Sequence, residues 1–300
     1  MFIDNDWWGH KFVLSKYCNI KQKPILGSMQ HGVCSVEEEK NYPLTQTFKQ
    51  IPFLCNTNFL YERNKIKFNI VAIGAPFLYL DKIISRKENK IGTIVFPPHS
   101  GFIKKKSLYG KKIFKDKLLV DHEAFIKNVE KHNSPPYTVS IIHDDYYELS
   151  KIYKRKNWKI FSGGNRYNKS FLINIYKIIS KHKSAVFCEF TSALYYSMFL
   201  GLRVRLAIKS PLSSKKIIPF NYRLAKVDKV SFKVYLKKYP EIFSGKLDIT
   251  KAKNLAKERM GFDCLKSKDE LKSILGWNSN IKIFLAIFLK KIYNIRYRFQ

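Results

Sequence analysis

The chain has 300 residues, of which 45% are hydrophobic, and this is enough to build a buried core in one large domain or in two modest ones. Its formal net charge of +33 favours anionic partners such as membrane surfaces, nucleic acids and phosphorylated substrates. We do not expect nucleic acid to be the partner, because the basic residues are scattered and no recognised nucleic-acid-binding motif occurs.

Cysteine usage and the apolar runs narrow the class further. The five cysteines are odd in number and widely spaced, without a CxxC pair, so neither a zinc site nor a disulfide framework is predicted. The first six residues are acidic and lack the apolar stretch of a signal peptide. No run of about 18 apolar residues occurs, so no membrane-spanning helix is predicted. We therefore expect a chain that lies in a reducing cytoplasm.

The first ninety residues alternate short apolar runs with turns. Strands are predicted at 24–29, 51–55 and 68–73. Gln30, His31 and Gly32 follow the first of these, where an imidazole and a bare backbone can face a cleft; the alternative is a histidine satisfied within a loop.

Two further features of this half carry predictions. Gly74, before a proline near the start of a short helix, fits a tight turn facing the same cleft. Trp7 and Trp8 precede an amphipathic run from Lys11 to Tyr17, and they are either core anchors or a platform on which a sugar stacks.

A second series of elements begins after the charged stretch 86–90, which we take as a domain boundary. A buried strand is predicted at 91–96 and is followed by Pro98-His99-Ser100. The lysine-rich segment 102–117 is either a solvated loop or an electropositive flap. A helix at 122–132 and a strand at 137–142 lead to Asp144-Asp145, for which capping of the helix 146–154, a metal and a polar substrate contact are the alternatives.

The stretch 158–208 has the clearest pattern in the chain. It predicts a strand, a turn, a helix over 170–182, a strand over 185–190, a helix opening at Thr191-Ser192, and a strand over 203–208. Such alternation is typical of a parallel sheet, whose ligands bind beyond the carboxyl ends of the strands. The residues predicted at those ends are Ser162, Gly163, Gly164, Asn165, Arg166, Glu189, Thr191 and Ser192. A helix that starts at Thr191 directs its N–H groups and positive dipole end to the same place, which suits a phosphate.

The C-terminal part is predicted to be helical. Helices are expected at 232–243, 249–255 and after Ser267, where a capping box with Glu270 occurs. The tail places apolar side chains on one helical stripe, namely Ile281, Phe284, Leu285, Phe288, Ile292, Ile295 and Phe299. Cations accompany the stripe and no acid follows Glu270, so the segment 281–300 is either a basic amphipathic helix on an anionic membrane or a helix packed on the protein's own core.

Through several of these motifs, taken in order, the chain resembles a family of bacterial proteins from surface-polysaccharide (capsule and O-antigen) gene clusters. It also resembles glycosyltransferases of the GT-B fold. The motifs are Gln30-His31-Gly32, Gly74-Ala75-Pro76, Pro98-His99-Ser100, Ser162-Gly163-Gly164 and Thr191-Ser192. Bacterial sialyltransferases and polysialyltransferases of this fold carry a His-Pro and a Ser-Ser/Thr motif; here the proline precedes His99 and the second motif reads Thr191-Ser192. That departure leaves CMP, UDP and GDP open as the nucleotide.

The resemblance implies an α/β, GT-B-like fold with two Rossmann-like domains facing a cleft and a C-terminal amphipathic helix. The division it implies is an abbreviated N-terminal acceptor domain (1–90), a donor domain (91–232), a helical extension (233–280) and a membrane-associating tail (281–300). The implied activity is transfer of a sugar from a nucleotide-sugar donor to a glycan or lipid-linked acceptor, at the inner face of the cytoplasmic membrane.

The resemblance also assigns roles to residues. His31 is the expected base, with Asp4 or Asp6 as carboxylate competitors. His99, Ser100, Arg166, Thr191 and Ser192 are expected to hold the donor phosphates. The turn 162–165 is expected beside the base or the ribose, and Glu189 is expected to accept from the ribose hydroxyls. Gln30, Gly32 and Gly74 complete the expected substrate-binding set. No metal and no cofactor is expected. The alternatives are a non-catalytic polysaccharide-assembly protein, another nucleotide-sugar enzyme (an epimerase or a polyol-phosphate transferase), and a nucleic-acid binder.

Overall fold

A computed structural model gives the structure of the chain and describes residues 2–42, 44, 49, 51–85, 89–97, 102–105, 114–118, 122–143, 146–207 and 233–288. The expected flap tip, the Asp144-Asp145 pair, His99 and Ser100, the loop 208–232 and the end of the tail lie outside these ranges. Within them the protein is α/β, built on two parallel sheets.

The first sheet has three short parallel strands in the order β1-β2-β3. These are β1 (Ser28–Met29), β2 (Phe53–Cys55) and β3 (Ile70–Ala72), which confirms the three predicted strands with shorter bounds. A 3-10 segment (Phe2–Gly9) and α1 (His10–Tyr17) precede them, and α2 (Val36–Lys40), α3 (Asn58–Asn64) and α4 (Pro76–Leu80) connect and follow them. The local chemistry explains the helix starts: a Ser35–Glu38 capping box opens α2, Thr57 caps α3, and Pro76 occupies the first turn of α4, where a missing N–H costs nothing.

The second sheet has five parallel strands in the order β10-β9-β4-β7-β8. They are β4 (Thr93–Phe96), β7 (Tyr137–Ser140), β8 (Lys159–Phe161), β9 (Ser184–Phe187) and β10 (Arg203–Leu206). The crossover helices are α5 (His122–His132), α6 (Tyr146–Lys154), α7 (Phe171–Ile179) and α8 (Ser192–Phe199), so the predicted alternation is confirmed. Numbered from β4, the strand order is 3-2-1-4-5, which is that of five of the six strands in a doubly wound dinucleotide-binding sheet.

The lysine-rich segment, expected to be either a solvated loop or an electropositive flap, contains two short strands. Strands β5 (Phe102–Lys105) and β6 (Phe114–Leu118) pair antiparallel, with Lys104 opposite Lys115. The apolar–polar alternation in these short runs is diluted by consecutive lysines, which is why the sequence reads as a loop. Residues 106–113 lie outside the described part of the hairpin.

The C-terminal helices are α9 (233–238), α10 (Glu241–Ser244), α11 (Ile249–Met260), α12 (Lys268–Ile274) and α13 (280–288), with a 3-10 turn at Phe262–Cys264. The single helix expected over 232–243 is interrupted before Glu241, because Pro240 cannot continue it. The Ser267–Glu270 capping box is confirmed at the start of α12.

These helices return to the first sheet instead of extending away from it. The Ala75 N–H donates to the Met260 carbonyl over 2.8 Å. Gly261 has φ 68° and lies so close to the loop after β2 that a Cβ there would sit 1.8 Å from the Asn56 carbonyl oxygen. Arg259 on α11 forms a buried ion pair with Glu39 on α2, at 3.1 Å.

One hydrophobic cluster joins the parts that the sequence divides into domains. It contains Leu54 and Phe77 of the first part, Phe187 and Leu194 of the second, and Leu271 of the helical extension. The expected boundary at 86–90 lies partly outside the described residues. In the described part of the chain, no helix is long and apolar enough to cross a membrane.

Candidate functional site

The strand order of the second sheet creates a crevice between β4 and β9. The chain leaves β4 toward β7 on one side, and it returns to β9 on the other side, so the connections diverge at this point. The two strand ends are locked together, since Phe96 and Phe187 stack with ring centroids 4.8 Å apart. Ligands of open α/β sheets bind at such a switch point. The segment 188–192 follows β9 at this point, and in the sequence β4 is followed by Pro97 and then by His99 and Ser100, which lie outside the described residues.

Helix α8 begins at this crevice. In its first turn the Leu194 N–H donates to the Thr191 carbonyl over 3.0 Å, while the N–H groups of Ser192 and Ala193 come too early in the helix for a partner within it. The helix dipole is positive at this end. Thr191 is the N-cap residue, but its side chain makes no capping bond, and its buried Oγ1 has no hydrogen-bond partner among the described residues. Glu189 is half-buried just before it, next to Cys188, whose thiol pKa burial raises to about 12. The geometry at α8 therefore suits an anion.

The loop after β1 meets the first turn of α8, so a strand end of each sheet reaches the same place. The Val33 N–H donates to Ser192 Oγ over 2.8 Å. Gly32 has φ 64°, and a Cβ there would lie 2.7 Å from the same oxygen, so only glycine fits without a shift. Ser192 also bonds the Tyr196 hydroxyl. The Ser192 side chain thus positions the loop, and the Ser192 backbone N–H is one of the first-turn groups of α8 that lack a partner within the helix.

Asn56 fixes the conformation of this loop. Its N–H donates to Gln30 Oε1 over 2.8 Å, and its Nδ2 donates to the Gly32 carbonyl over 2.7 Å. The sequence does not single out Asn56, although its place directly after a strand is the signal that finds the other site residues.

Two stacked side chains, Trp7 and Arg166, cover His31. The Trp7 ring lies on the His31 ring with centroids 4.9 Å apart, and the Arg166 guanidinium lies over Trp7 at 5.1 Å. The Trp8 N–H donates to the Arg166 carbonyl over 2.6 Å, and Trp8 itself has φ 57°, which is uncommon for a bulky residue. Both ring nitrogens of His31 are shielded from solvent in this arrangement.

His10 lies beneath this stack and is a residue that sequence reasoning missed. It is 2% exposed, with its ring centroid 6.4 Å from that of His31. Burial, and then the positive charge that His31 can carry, lowers the pKa of His10 to about 3, so His10 is neutral at physiological pH. Its Nδ1 has no hydrogen-bond partner among the described residues.

Three buried polar atoms have no partner in the described chain: Trp7 Nε1 and His10 Nδ1, whose rings lie near that of His31, and Thr191 Oγ1 at the start of α8. An unsatisfied buried donor or acceptor costs about 1–3 kcal/mol, so such groups point to a ligand or to water. A ligand at either position would meet a donor or acceptor that the fold has left unused.

The turn after β8 brings Arg166 to the stack. The Gly164 N–H donates to Ser162 Oγ over 3.2 Å, and Asn168 Nδ2 donates to the Gly163 carbonyl over 2.9 Å. A Cβ at Gly163 would sit 2.7 Å from the Phe171 ring. Asn165 Oδ1 accepts the Tyr167 N–H over 3.0 Å. The polar groups of this turn mainly satisfy one another, and Arg166 is the side chain that extends to Trp7.

The remaining expected site residues lie elsewhere or are already engaged. Asp6 forms an ion pair with Lys11. Asp4 lies in the same 3-10 segment, and the structure does not describe its side chain. Gly74 packs under the Gly261 carbonyl, 2.9 Å from where its Cβ would be, at the seam with the C-terminal helices. Among the described residues, no group of three or more His, Cys, Asp or Glu side chains could hold a metal.

Two open cavities lie away from the stack. One, of about 630 Å³, is lined by residues that include Lys16, Ile84 and Lys177, and the other, of about 560 Å³, lies around Ile66–Phe68. The candidate site is the switch point with its unpaired polar atoms, because the described lining of neither cavity includes a His, Cys, Asp or Glu side chain. Trp7 and Arg166 occupy the space over His31, so a ligand must displace them.

No known protein family, curated protein or solved structure matches the chain.

Proposed function

We propose that the protein is a glycosyltransferase that moves a sugar from a nucleotide-sugar donor to a growing surface polysaccharide. The observation that carries this proposal is the switch point between β4 and β9, where the N-terminus of α8 adjoins the loop that bears His31. A phosphate-binding helix end and a candidate base, contributed by different sheets, are the two groups that glycosyl transfer requires.

The donor phosphates would lie at the first turn of α8. The backbone N–H groups there, the unpaired Thr191 hydroxyl and the Arg166 guanidinium supply donors and positive charge. His99 and Ser100, which follow β4 in the sequence and lie outside the described residues, would complete the donor contacts. Glu189, at the end of β9, would accept from the ribose hydroxyls.

His31 would act as the base. His10 would not, because it is buried and its pKa of about 3 makes it too weak a base to accept a proton near neutral pH. In the transfer step the acceptor oxygen bonds to the anomeric carbon, and its proton passes to an imidazole nitrogen of His31. The bond between that carbon and the donor phosphate oxygen breaks, and the nucleotide leaves with the electron pair. The charge that develops on it is stabilised by α8 and Arg166.

Trp7 would open the site when substrate binds. Its indole now stacks on His31 and excludes solvent from the ring nitrogens. Rotation of Trp7 would expose His31 and leave an aromatic face on which an acceptor sugar can stack.

The proposal includes a GT-B-like architecture. Two parallel sheets whose strand ends meet at one site support it, with the three-stranded sheet as the abbreviated acceptor half. The strand order 3-2-1-4-5 of the five-stranded sheet, which is shared with doubly wound nucleotide-binding folds, supports the assignment of this sheet to the donor half.

The proposal also places the protein on the inner face of the cytoplasmic membrane. Large apolar side chains on α13 are exposed: Ile281 81%, Phe284 69%, Leu285 43% and Phe288 50%. Only Ala286 of the described helix is fully buried, at 1%. The described helix is thus not packed on the core by this stripe, and an apolar face flanked by cations suits an anionic bilayer surface.

The test compares nucleotide binding and transfer in three folded variants: His31→Ala, Arg166→Gln and, as a charge-matched control, Arg155→Gln. CMP, UDP or GDP at about a hundred times its Kd should raise the Tm of the wild type by about 5 °C. Arg166→Gln should lose most of that rise, while His31→Ala should keep it and lose transfer. Unaltered binding and transfer in both variants would refute this site.

A non-catalytic polysaccharide-assembly protein is the second candidate. The observation that favours it is the covered His31, together with open cavities that lie elsewhere. The same nucleotide panel separates the two candidates, since no rise in Tm with any nucleotide would favour the assembly role.

A further inference from the structure

The larger open cavity combines cationic and aliphatic groups. Its volume is about 630 Å³, within the range of small-molecule sites, and its lining includes Lys16, Lys21, Lys177, Ile83, Ile84 and Ile173. None of the described residues that line it is acidic. In the described part of the chain, none of the three lysines takes part in an ion pair. Lys16 Nζ lies over the Phe12 ring, 5.1 Å from its centre, so the cavity offers three ammonium groups to an anion, one of which also contacts an aromatic face.

This cavity is distinct from the candidate transferase site. Helix α7 begins at Phe171, beside Gly163 and Trp8, and Lys177 lies in its last turn. Six residues of helix span about 9 Å, so Lys177 lies well beyond Phe171 along α7, while Ile173 of the same helix also lines the cavity. Trp7, His31 and Arg166 are not among the residues that line it.

The isoleucines indicate that the anion carries a hydrocarbon chain. Ile83 is 37% exposed beside the half-buried Ile84 and Ile173, which leaves apolar surface next to the charges. Each methylene that moves from water to such a surface strengthens binding about fourfold. A free inorganic anion would use the lysines and leave this surface wet.

The chain connects the cavity to α13. Only a few residues separate Lys21 from the contacts that seat the base of α13: Lys23 Nζ donates to the Trp277 carbonyl over 3.3 Å, and Trp277 Nε1 donates to the Pro24 carbonyl over 2.8 Å. Leu26 and Lys282 both approach Gly276 at that base. A cavity mounted next to an exposed apolar helix is in a position to meet a lipid headgroup.

We propose that the cavity lined by Lys16, Lys21, Lys177 and the adjacent isoleucines binds an anionic phospholipid of the bilayer, with the phosphate among the ammonium groups and the first chain carbons on the isoleucines. The site is independent of the glycosyl transfer reaction, and lipid binding measures it without any nucleotide.

The experiment titrates the full chain with dihexanoylphosphatidylglycerol, held below its micelle concentration, by isothermal titration calorimetry. The Lys16→Gln, Lys21→Gln, Lys177→Gln triple variant should bind at least tenfold more weakly. A control triple with the same loss of charge at Lys127, Lys237 and Lys251, which are exposed away from the cavity, should bind within twofold of wild type.

Two further arms test the chain and the source of the anion. Ile173→Ser keeps the lysines and should weaken lipid binding several-fold without changing the binding of inorganic phosphate. Dihexanoylphosphatidylcholine and inorganic phosphate should each bind at least tenfold more weakly than the anionic lipid.

Equal losses in the two triple variants would show attraction by general charge and would overturn the site. Inorganic phosphate that binds as tightly as the lipid would overturn the lipid assignment. A Phe284→Ser, Phe288→Ser variant of α13 should bind the monomeric lipid normally, and a loss there would assign binding to the helix instead.

Discussion

Removal of the Arg259 side chain should destabilise the protein through the carboxylate that it leaves behind. Glu39 is 1% exposed and Arg259 is 4% exposed, so the ion pair between them is shielded from water. Glu39 Oε1 also accepts from Thr57 Oγ1 over 2.7 Å, while the second Arg259 nitrogen, Nη2, reaches Glu258 over 2.6 Å. Burial raises the pKa of Glu39 to about 7, and Thr57 and Arg259 act against that rise.

The magnitude follows from this environment. Removal of one partner of a buried pair costs about 3–5 kcal/mol, because the other charge is left uncompensated. At about 2 °C per kcal/mol for a chain of this size, Arg259→Met should lower the Tm by about 6–10 °C. The double variant Glu39→Gln, Arg259→Met keeps an acceptor for Thr57 and carries no buried charge. It should regain most of the loss.

The pH dependence of stability is an independent test of the same reasoning. The folded pKa of Glu39 lies above its unfolded value of 4.5, so the folded chain holds a proton that the unfolded chain releases, and stability falls as the pH rises from 4.5 toward 7. Without Arg259 that pKa rises further and the loss continues above pH 7. The gap between wild type and Arg259→Met should therefore be wider at about pH 8.5 than at about pH 6.

Urea unfolding followed by circular dichroism at both pH values measures all four corners of the double-mutant cycle. A double variant as unstable as Arg259→Met, or a gap that does not change with pH, would refute the reasoning. Either result would mean that Arg259 stabilises the fold by packing its aliphatic stem and not by compensating Glu39.

Three other predictions address other parts of the molecule. The pKa of His10 is about 3 in the folded chain and 6.5 in the unfolded chain, so acid favours the unfolded chain. About 2 kcal/mol of stability should therefore be lost between pH 7.5 and pH 5. His10→Gln should remove most of this pH dependence, as measured by urea unfolding at the two pH values. Gly261→Ala places a Cβ 1.8 Å from a backbone oxygen, so it should lower the stability by well over the ~1–2 kcal/mol that a φ of 68° imposes on a residue with a Cβ. Gly245→Ala is the control, because φ is 72° there but the nearest atom is 3.4 Å away, and it should lose only that strain energy in thermal melts. Phe284→Ser with Phe288→Ser should abolish flotation with phosphatidylglycerol vesicles without altering the Tm, because these side chains are 69% and 50% exposed; normal flotation would exclude α13 as the membrane contact.

The sequence predicts the elements that depend on neighbours along the chain. The strands and helices of 158–207 and the Ser267 capping box are read correctly, because periodicity and capping act over a few residues. The hairpin at 102–118 escapes this reading, since its lysines obscure the alternation. Strand order is a different matter: the pairing of β4 with β9 joins residues about ninety positions apart, and nothing local signals it.

The candidate site shows the same division. His31, Thr191 and Ser192 follow strands and can be selected by position, and the contact of Val33 with Ser192 brings two of these loops together. His10 and Asn56 were missed because their importance comes from the side chains packed on them. Asp6 illustrates the converse, since an exposed-looking acid at a promising position is engaged by Lys11.

The return of the C-terminal helices onto the first sheet sets an order of events during synthesis. Trp277 Nε1 bonds the Pro24 carbonyl, 253 residues earlier, and Arg259 closes over Glu39 from a distance of 220 residues. The first three strands therefore leave the ribosome long before the helices that cover them exist. Contacts of such long range form slowly, and the apolar faces of β1 to β3 stay open to other molecules in the interval. We expect the nascent chain to depend on chaperones until α12 has been made.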